Sequence, residues 1–212
     1  MSDAALVLDD VRIALAGREL LRLSLAVEPG TVATVMGPSG SGKSSLLALI
    51  AGFLDPAFRA SGGVRLDGID LLALPAHRRR VGLMFQDDLL FPHMSVAGNL
   101  LFALPPVVTG RAARHAAAEA ALAEVGLDGF GERDPATLSG GQRARVALAR
   151  TLLAEPRALL LDEPFSRLDR ALRGQVRDLV LERARRRGLP TLLVTHDEED
   201  AAAAAGAVVT IG

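Results

Sequence analysis

The densest chemistry in the chain lies in Gly37-Pro38-Ser39-Gly40-Ser41-Gly42-Lys43-Ser44. These residues fit the phosphate-binding pattern G-x-x-x-x-G-K-[ST]. Its glycines let the backbone turn tightly and aim successive N–H groups at an anion. Lys43 has the reach for β- and γ-phosphates, and the Ser44 hydroxyl is a ligand type for Mg²⁺. A dinucleotide fingerprint is disfavoured, because no glycine stands three residues beyond Gly42. Other groups able to do chemistry are scattered far along the chain: Gln86, the pair Asp162-Glu163, and His196. A second glycine-rich stretch, Leu138-Ser139-Gly140-Gly141-Gln142, precedes a helical run. Serine and two glycines there make an N-cap and a bare helix terminus, an anion site in itself.

The neighbouring sequence shows what must position these groups. Thr31–Met36 is a short β-rich run and Ser45–Ile50 reads as a helix, so the glycine loop has the strand–loop–helix context its motif requires. Ala5–Val11 and Leu20–Val27 are β-type runs around the turn Ala16-Gly17-Arg18-Glu19. A second short hairpin is expected at Val64–Leu66 and Asp67-Gly68, led in by a loop from Asp55-Pro56 through Ser61-Gly62-Gly63. Arg78-Arg79-Arg80 could be a phosphate or nucleic-acid patch, but a solvated loop face is the preferred reading. Val81–Gln86, Ala158–Leu161 and Leu192–His196 read as buried strands. The text from Ser95 to about Ala154 is largely helical and Ala-rich, an insertion broken at Pro105-Pro106 and at 126–135. Helices are expected at Leu168–Arg187 and Glu198–Ala205, and a last strand at Ala207–Ile211. Ligands of open α/β sheets lie beyond the carboxyl ends of the strands. Gln86, Asp162-Glu163 and His196 all stand at such ends, so they are expected beside the phosphate loop.

Composition narrows the classes. The chain has 212 residues, room for one α/β core with a subdomain. Its 24 basic and 25 acidic residues leave a net charge of −1, with no general pull towards nucleic acid or anionic lipid. There is no Cys, which excludes disulfides and thiol metal sites. Residues 1–20 show no signal-peptide pattern, and no apolar run reaches the roughly 18–20 residues that span a bilayer. The expectation is a soluble chain that relies on a partner for any membrane anchorage. Aromatics are only 3 %, with no Tyr or Trp, so the core must be mostly Leu, Val and Ala.

Taken in order, Gly37–Ser44, Gln86, Leu138–Gln142, Leu159–Pro164, Ser166–Asp169 and His196 resemble the motifs of an ATP-binding cassette ATPase, the nucleotide-binding subunit of an ABC transporter. Leu83–Pro105 and Asp134–Asp169 are most similar to the YnjD-type importer ATPases, themselves related to thiamine, sulfate and metal importer subunits. The resemblance implies a P-loop NTPase (RecA-like) α/β core at residues 1–86 and 155–212, with an N-terminal antiparallel β-subdomain and an inserted α-helical subdomain at 87–154. It implies ATP and Mg²⁺ as cofactors. Gly37, Pro38, Ser39, Gly40, Ser41, Gly42, Lys43, Ser44 and Ser45 would hold the phosphates. Ser44, Gln86 and Asp162 would hold the metal, Asp162 through water. Glu163 would accept a hydrogen bond from the attacking water. Gln86 would reach metal and water, and His196 the γ-phosphate. His77, His93 and His115 lack any such context. Ser139, Gly140, Gly141 and Gln142 would face the nucleotide of a second copy, making a homodimer on ATP with two composite sites, between which Asp169 would transmit. Asp87–Asn99 would dock an integral-membrane permease at the cytoplasmic face of the membrane, with Phe91, Pro92 and Met94 as apolar contacts. A substrate-binding protein would complete the importer.

Two departures bear on these expectations. Family members usually carry an aromatic residue on the first hairpin that stacks on adenine, and Leu15 takes that place here. Stacking is worth roughly 1–3 kcal/mol per base, so weaker nucleotide binding and poor ATP/GTP discrimination are expected. The chain also ends after the Ala207–Ile211 strand, where related importers often continue, so control by a C-terminal sensing domain is not expected. Alternatives are a cassette protein acting on DNA or the ribosome, a non-hydrolysing nucleotide switch, and an exporter. The first is disfavoured by the single cassette without basic stripe or heptads. The second conflicts with Glu163, Gln86 and His196. The third stays open, although exporter cassettes are commonly fused to their membrane domains.

Overall fold

A computed structural model describes residues 5–212. Contacts divide the chain into two compact units. The first holds the described residues up to Leu83, Arg157–Glu163 and Leu181–Gly212, and the second holds Met84–Pro156 and Pro164–Val180.

The first unit contains two sheets. β1 (Leu6–Leu15) and β2 (Arg18–Val27) form a hairpin whose turn residues Ala16 and Gly17 both have positive φ, 50° and 82°. Such two-residue turns match the twist of the flanking strands. β3 (Val32–Met36) enters the phosphate loop and α1 (Lys43–Ala51) leaves it. β4 (Phe58–Leu66) and β5 (Ile69–Asp70) complete a four-stranded sheet in the order β2-β1-β4-β5. β4 begins at Phe58, well before the expected Val64. The segment 58–63 lacks strand-like alternation, but β1 offers it a second edge along its full length, and Ile13, Ala14 and Leu15 pair with Ala60, Arg59 and Phe58. Between Leu8 and Val11 the register shifts, and Asp10 bulges out with φ 43°. A Cβ on Gly62 would lie 2.3 Å from the Asp10 carbonyl oxygen, so the bulge admits only glycine opposite it.

The second sheet runs β6-β7-β8-β3-β9, from β6 (Val81–Met84), β7 (Ala158–Asp162), β8 (Thr191–Val194) and β9 (Val208–Thr210). Parallel ladders join β7 to β8, β8 to β3 and β3 to β9. β8 is buried throughout, and β7 along its whole length except Asp162, as parallel strands covered on both faces require. Leu46, Ile50, Val35, Leu160 and Val194 share one apolar core with Leu6, Ile13 and Leu21 of the hairpin.

The arginine run 78–80 corrects the expectation of a solvated face. Arg78 and Arg80 are exposed, but Arg79 is buried. Its guanidinium donates to the carbonyls of Leu74 (2.9 Å), Leu49 (2.6 Å) and Ile50 (2.9 Å). The last two belong to the final turn of α1, whose carbonyls have no partner within the helix. Burial lowers the pKa of Arg79.

The second unit is helical: α2 (Val96–Ala103), α3 (Arg111–Glu124), α4 (Gly140–Leu153) and the part of α5 (Arg170–Arg186) up to Val180. Its interior uses small residues such as Ala118, Ala121, Ala144 and Ala147 alongside Leu100, Leu122 and Leu148, as the scarcity of aromatics required. The fully buried Asn99 ties the segment before α2. Its amide accepts from Phe91 N–H and donates to the carbonyls of Phe91, Met94 and Ser95. Among the described residues, no helix is long and apolar enough to cross a membrane.

Candidate nucleotide site

β3 delivers the chain into the glycine loop, and α1 carries it away with Gly42 as an N-cap that makes no side-chain hydrogen bond. The first turn of α1 has no acidic residue, so the positive end of the helix is left for an external anion. Lys43 is buried, and its ammonium donates to the carbonyls of Gly37 (2.8 Å) and Pro38 (2.7 Å). This pins the cation across the loop that it must serve. The Ser41 hydroxyl is buried with no hydrogen-bond partner among the described residues, leaving the loop one polar group short.

Two distant strand ends meet this loop. Ser44 Oγ donates to Asp162 Oδ1 at 3.0 Å, joining residues 118 apart in sequence. Burial, seconded by the charge of Glu163, raises the Asp162 pKa, while the Ser44 hydrogen bond and Lys43 oppose the rise. A carboxylate held against its own desolvation is a place where a cation is welcome. Hydroxyl and carboxylate oxygens are hard ligands of the kind Mg²⁺ takes. No cluster of three or more His, Cys, Asp or Glu suited to a metal exists among the described residues. A Mg²⁺ at Ser44 and Asp162 would take most of its other oxygens from phosphate and water, its usual habit.

Glu163 follows at the strand end with φ 46°, in the left-handed region that a non-glycine residue seldom adopts. Its N–H donates to the Val194 carbonyl at 2.9 Å, which fixes it to β8. Its Oε1 lies 3.1 Å from His196 Nδ1. His196 is placed by β8 on one side and by α6 (Glu198–Ala204) on the other. The Asp197 side chain caps α6 by accepting from Glu199 N–H (2.8 Å) and Asp200 N–H (3.1 Å).

The first unit thus brings together the loop 37–45, Asp162, Glu163 and His196. Beside the loop is a cavity of about 340 Å³, lined among others by Ser39, Lys43, Ser44, Ser45, Glu163 and Leu15. Leu20 and Phe58 also line it, and the motif reading named neither. The signal available for Phe58 was its pairing opposite Leu15, which needs the full extent of β4.

Gln86 and the stretch Ser139–Gln142 belong to the second unit. Gln86 is exposed and lines a cavity of about 410 Å³ with Asp88, Leu90, Pro92, Arg143 and Arg167. Arg167 forms an ion pair with Asp87. Ser139 caps α4 reciprocally with Gln142. The serine hydroxyl accepts from Gln142 N–H (3.3 Å), and the glutamine carbonyl accepts from Ser139 N–H (3.0 Å). Gly141 is buried, and a Cβ there would meet Leu172 of α5 at 3.5 Å.

Comparison with known proteins identifies the family. The family described as ABC transporter matches residues 20–166. The chain is 49% identical over 183 residues to the uncharacterized ABC transporter ATP-binding protein YnjD of Escherichia coli K12, covering 86% of this chain and 84% of that one. It is 46% identical over 182 residues to the thiamine import ATP-binding protein ThiQ of the same organism, covering 86% and 77%. It is 44% identical over 189 residues to the Fe(3+) ions import ATP-binding protein FbpC 1 of Rhizobium meliloti, covering 89% of this chain but only 53% of that relative. With its phosphate loop, its α/β P-loop NTPase fold and these relatives, the chain belongs to the ABC transporter family as an ATP-binding ATPase.

Proposed function

We propose that the chain binds ATP with Mg²⁺, hydrolyses it when a second copy closes the site, and thereby drives import through a separate membrane permease. The observation that carries this reading is the Ser44–Asp162 hydrogen bond, which makes one oxygen-lined corner of the phosphate loop and a strand tip 118 residues away. Gly37–Ser45 would cradle the phosphates. Ser44, Asp162 and Gln86 would hold Mg²⁺, which when bound neutralises charge developing on the transferring phosphoryl group. Glu163 would orient the attacking water and take its proton, with His196 directing the glutamate from one side and reaching towards the γ-phosphate.

The second copy would contribute Ser139, Gly140 and Gly141 at the N-terminus of α4, where free N–H groups and the helix dipole suit a phosphate. Gln142, which the capping box engages, would act there by holding Ser139 in place. Asp169 would transmit between the sites. The chain would divide functionally into a RecA-like core with an antiparallel β-subdomain, at 1–86 and 155–212, and a helical subdomain at 87–154. Asp87–Asn99 would dock the permease, placing the protein peripherally at the cytoplasmic face, and a substrate-binding protein would deliver cargo. Import is favoured because two of the similar proteins, ThiQ and FbpC 1, are named import ATP-binding proteins.

The test is Glu163→Gln. Isotherms should show ATP bound about as tightly as by wild type, light scattering should show an ATP-dependent dimer, and phosphate release should fall by about 10²–10⁴-fold. Phosphate release at the wild-type rate would remove Glu163 from the reaction.

A further inference from the structure

We propose that Phe58 is the surface on which the nucleotide base stacks, so that β4 supplies the aromatic that the β1–β2 hairpin lacks. The inference rests on the phosphate loop holding a nucleotide, and it names the residue that receives the other end of that ligand.

The cavity beside the loop has two kinds of wall. Ser39, Lys43, Ser44 and Ser45 are the polar wall, already assigned to phosphates. Leu15, Leu20 and Phe58 are the apolar wall. The two are contiguous: a Cβ added to Gly42 would lie 3.3 Å from the Leu20 Cβ. A triphosphate held by the loop therefore carries its base towards leucine and phenylalanine side chains. The chain has seven Phe and no Tyr or Trp, and Phe58 alone of these lines the cavity among the described residues.

Register explains how a strand so distant in sequence replaces the hairpin aromatic. Leu15 is the last residue of β1, and Phe58, the first of β4, is its direct antiparallel partner. Directly opposed residues point to the same face with Cβ atoms about 4.5–5.5 Å apart. A ring at 58 thus covers nearly the same ground as a ring at 15. Phe58 is half-buried and packs against the core of the unit, so it is held rather than free to swing. Leu15 is 37% exposed, a smaller apolar companion at the edge of the same wall.

The wall has no side-chain donor or acceptor among Leu15, Leu20 and Phe58, so it grips any base by its face and reads no base edge. Phe58 restores affinity without restoring selectivity, and the poor ATP/GTP discrimination expected from Leu15 persists.

Two ligands separate the base from the phosphates: Mg-ATP and Mg-tripolyphosphate, which has no base. Phe58→Ala should loosen ATP and GTP alike by roughly tenfold or more. It should leave tripolyphosphate unchanged. Phe58→Trp installs the sole indole of the chain, and its fluorescence should be quenched by ATP but not by tripolyphosphate. Unchanged ATP affinity in Phe58→Ala, equal loss of both ligands, or Phe58→Trp emission indifferent to ATP would each overturn the stacking role. If wild type binds neither ligand, the nucleotide site fails, and stacking fails with it. Tight tripolyphosphate binding with no gain from a base would sink Phe58 alone.

Discussion

Replacing Arg79 tests how the helix behind the phosphate loop is held. The guanidinium makes three hydrogen bonds, two of them to the end carbonyls of α1 at 2.6 and 2.9 Å. Arg79→Met keeps the apolar stem and removes every donor. Each of three carbonyls loses a bond to a charged donor worth about 1.5–3 kcal/mol, against which the relieved desolvation of the cation counts, for a net loss of about 3 kcal/mol. The fork is packed closely on the end of α1: a Cβ on Gly52 would lie 2.8 Å from Arg79 Nε. Arg79→Lys keeps the charge as a single point and cannot span the Leu74 and Leu49/Ile50 carbonyls together, so it should recover less than half. Hydrogen exchange at the α1 amides reads the effect locally. About 3 kcal/mol corresponds to exchange faster by about a hundredfold in Arg79→Met. Exchange within threefold of wild type, or equal behaviour of the Lys and Met variants, would refute the brace and return the run 78–80 to a solvated face.

Two further outcomes follow from side chains of contrasting burial. Asn99→Ala strips the ties from Phe91 N–H and from three carbonyls in a fully buried setting, so urea denaturation should show a loss of about 3 kcal/mol, with proteolysis appearing within 88–95. Asp10 accepts from Arg12 and Arg22 at 2.7 Å each, and these arginines lower its pKa. A carboxyl with a depressed folded pKa stabilises above its unfolded value and loses that contribution as pH falls through the folded one. Asp10→Asn should therefore lower Tm slightly at pH 7, and the gap from wild type should close below about pH 4 and in high salt. A gap that persists in acid would contradict the pairing.

What could be read before folding was local. The glycine loop announces itself because its chemistry lies within adjacent residues, and the strand tips at Asp162 and His196 follow from short apolar runs ending on polar groups. The missing parts depend on partners remote in sequence. Residues 58–63 have no pattern of their own, and they become strand because β1 reaches as far as Leu15. Arg79 is indistinguishable from Arg78 and Arg80 in sequence, and only the chain end of α1 turns it inward. The α5 helix gives no sign along its length that contacts assign Arg170–Val180 to one unit and Leu181–Arg186 to the other. Leu15 read alone is an absence, while Leu15 read with Phe58 is half of a wall.

The backbone at Glu163 bears on why glutamine is the informative substitution there. A left-handed non-glycine residue costs about 1–2 kcal/mol, and glycine would adopt the same φ of 46° without that cost. The chain nevertheless places a carboxylate there and holds it by the Val194 carbonyl behind and by His196 in front. Strain maintained by such restraints is a pointer to function rather than proof of it. Substituting Gly would change strain, volume and charge together, and Ala would change volume and charge, so lost turnover would not say which mattered. Glutamine keeps the length, the bulk and the left-handed cost, and it retains an oxygen for His196. What it removes is the negative charge and the ability to take a proton. If the carboxylate is held in that geometry for its basicity, Glu163→Gln must lose turnover while keeping ATP, and no other consequence of the strain explains that pair of results.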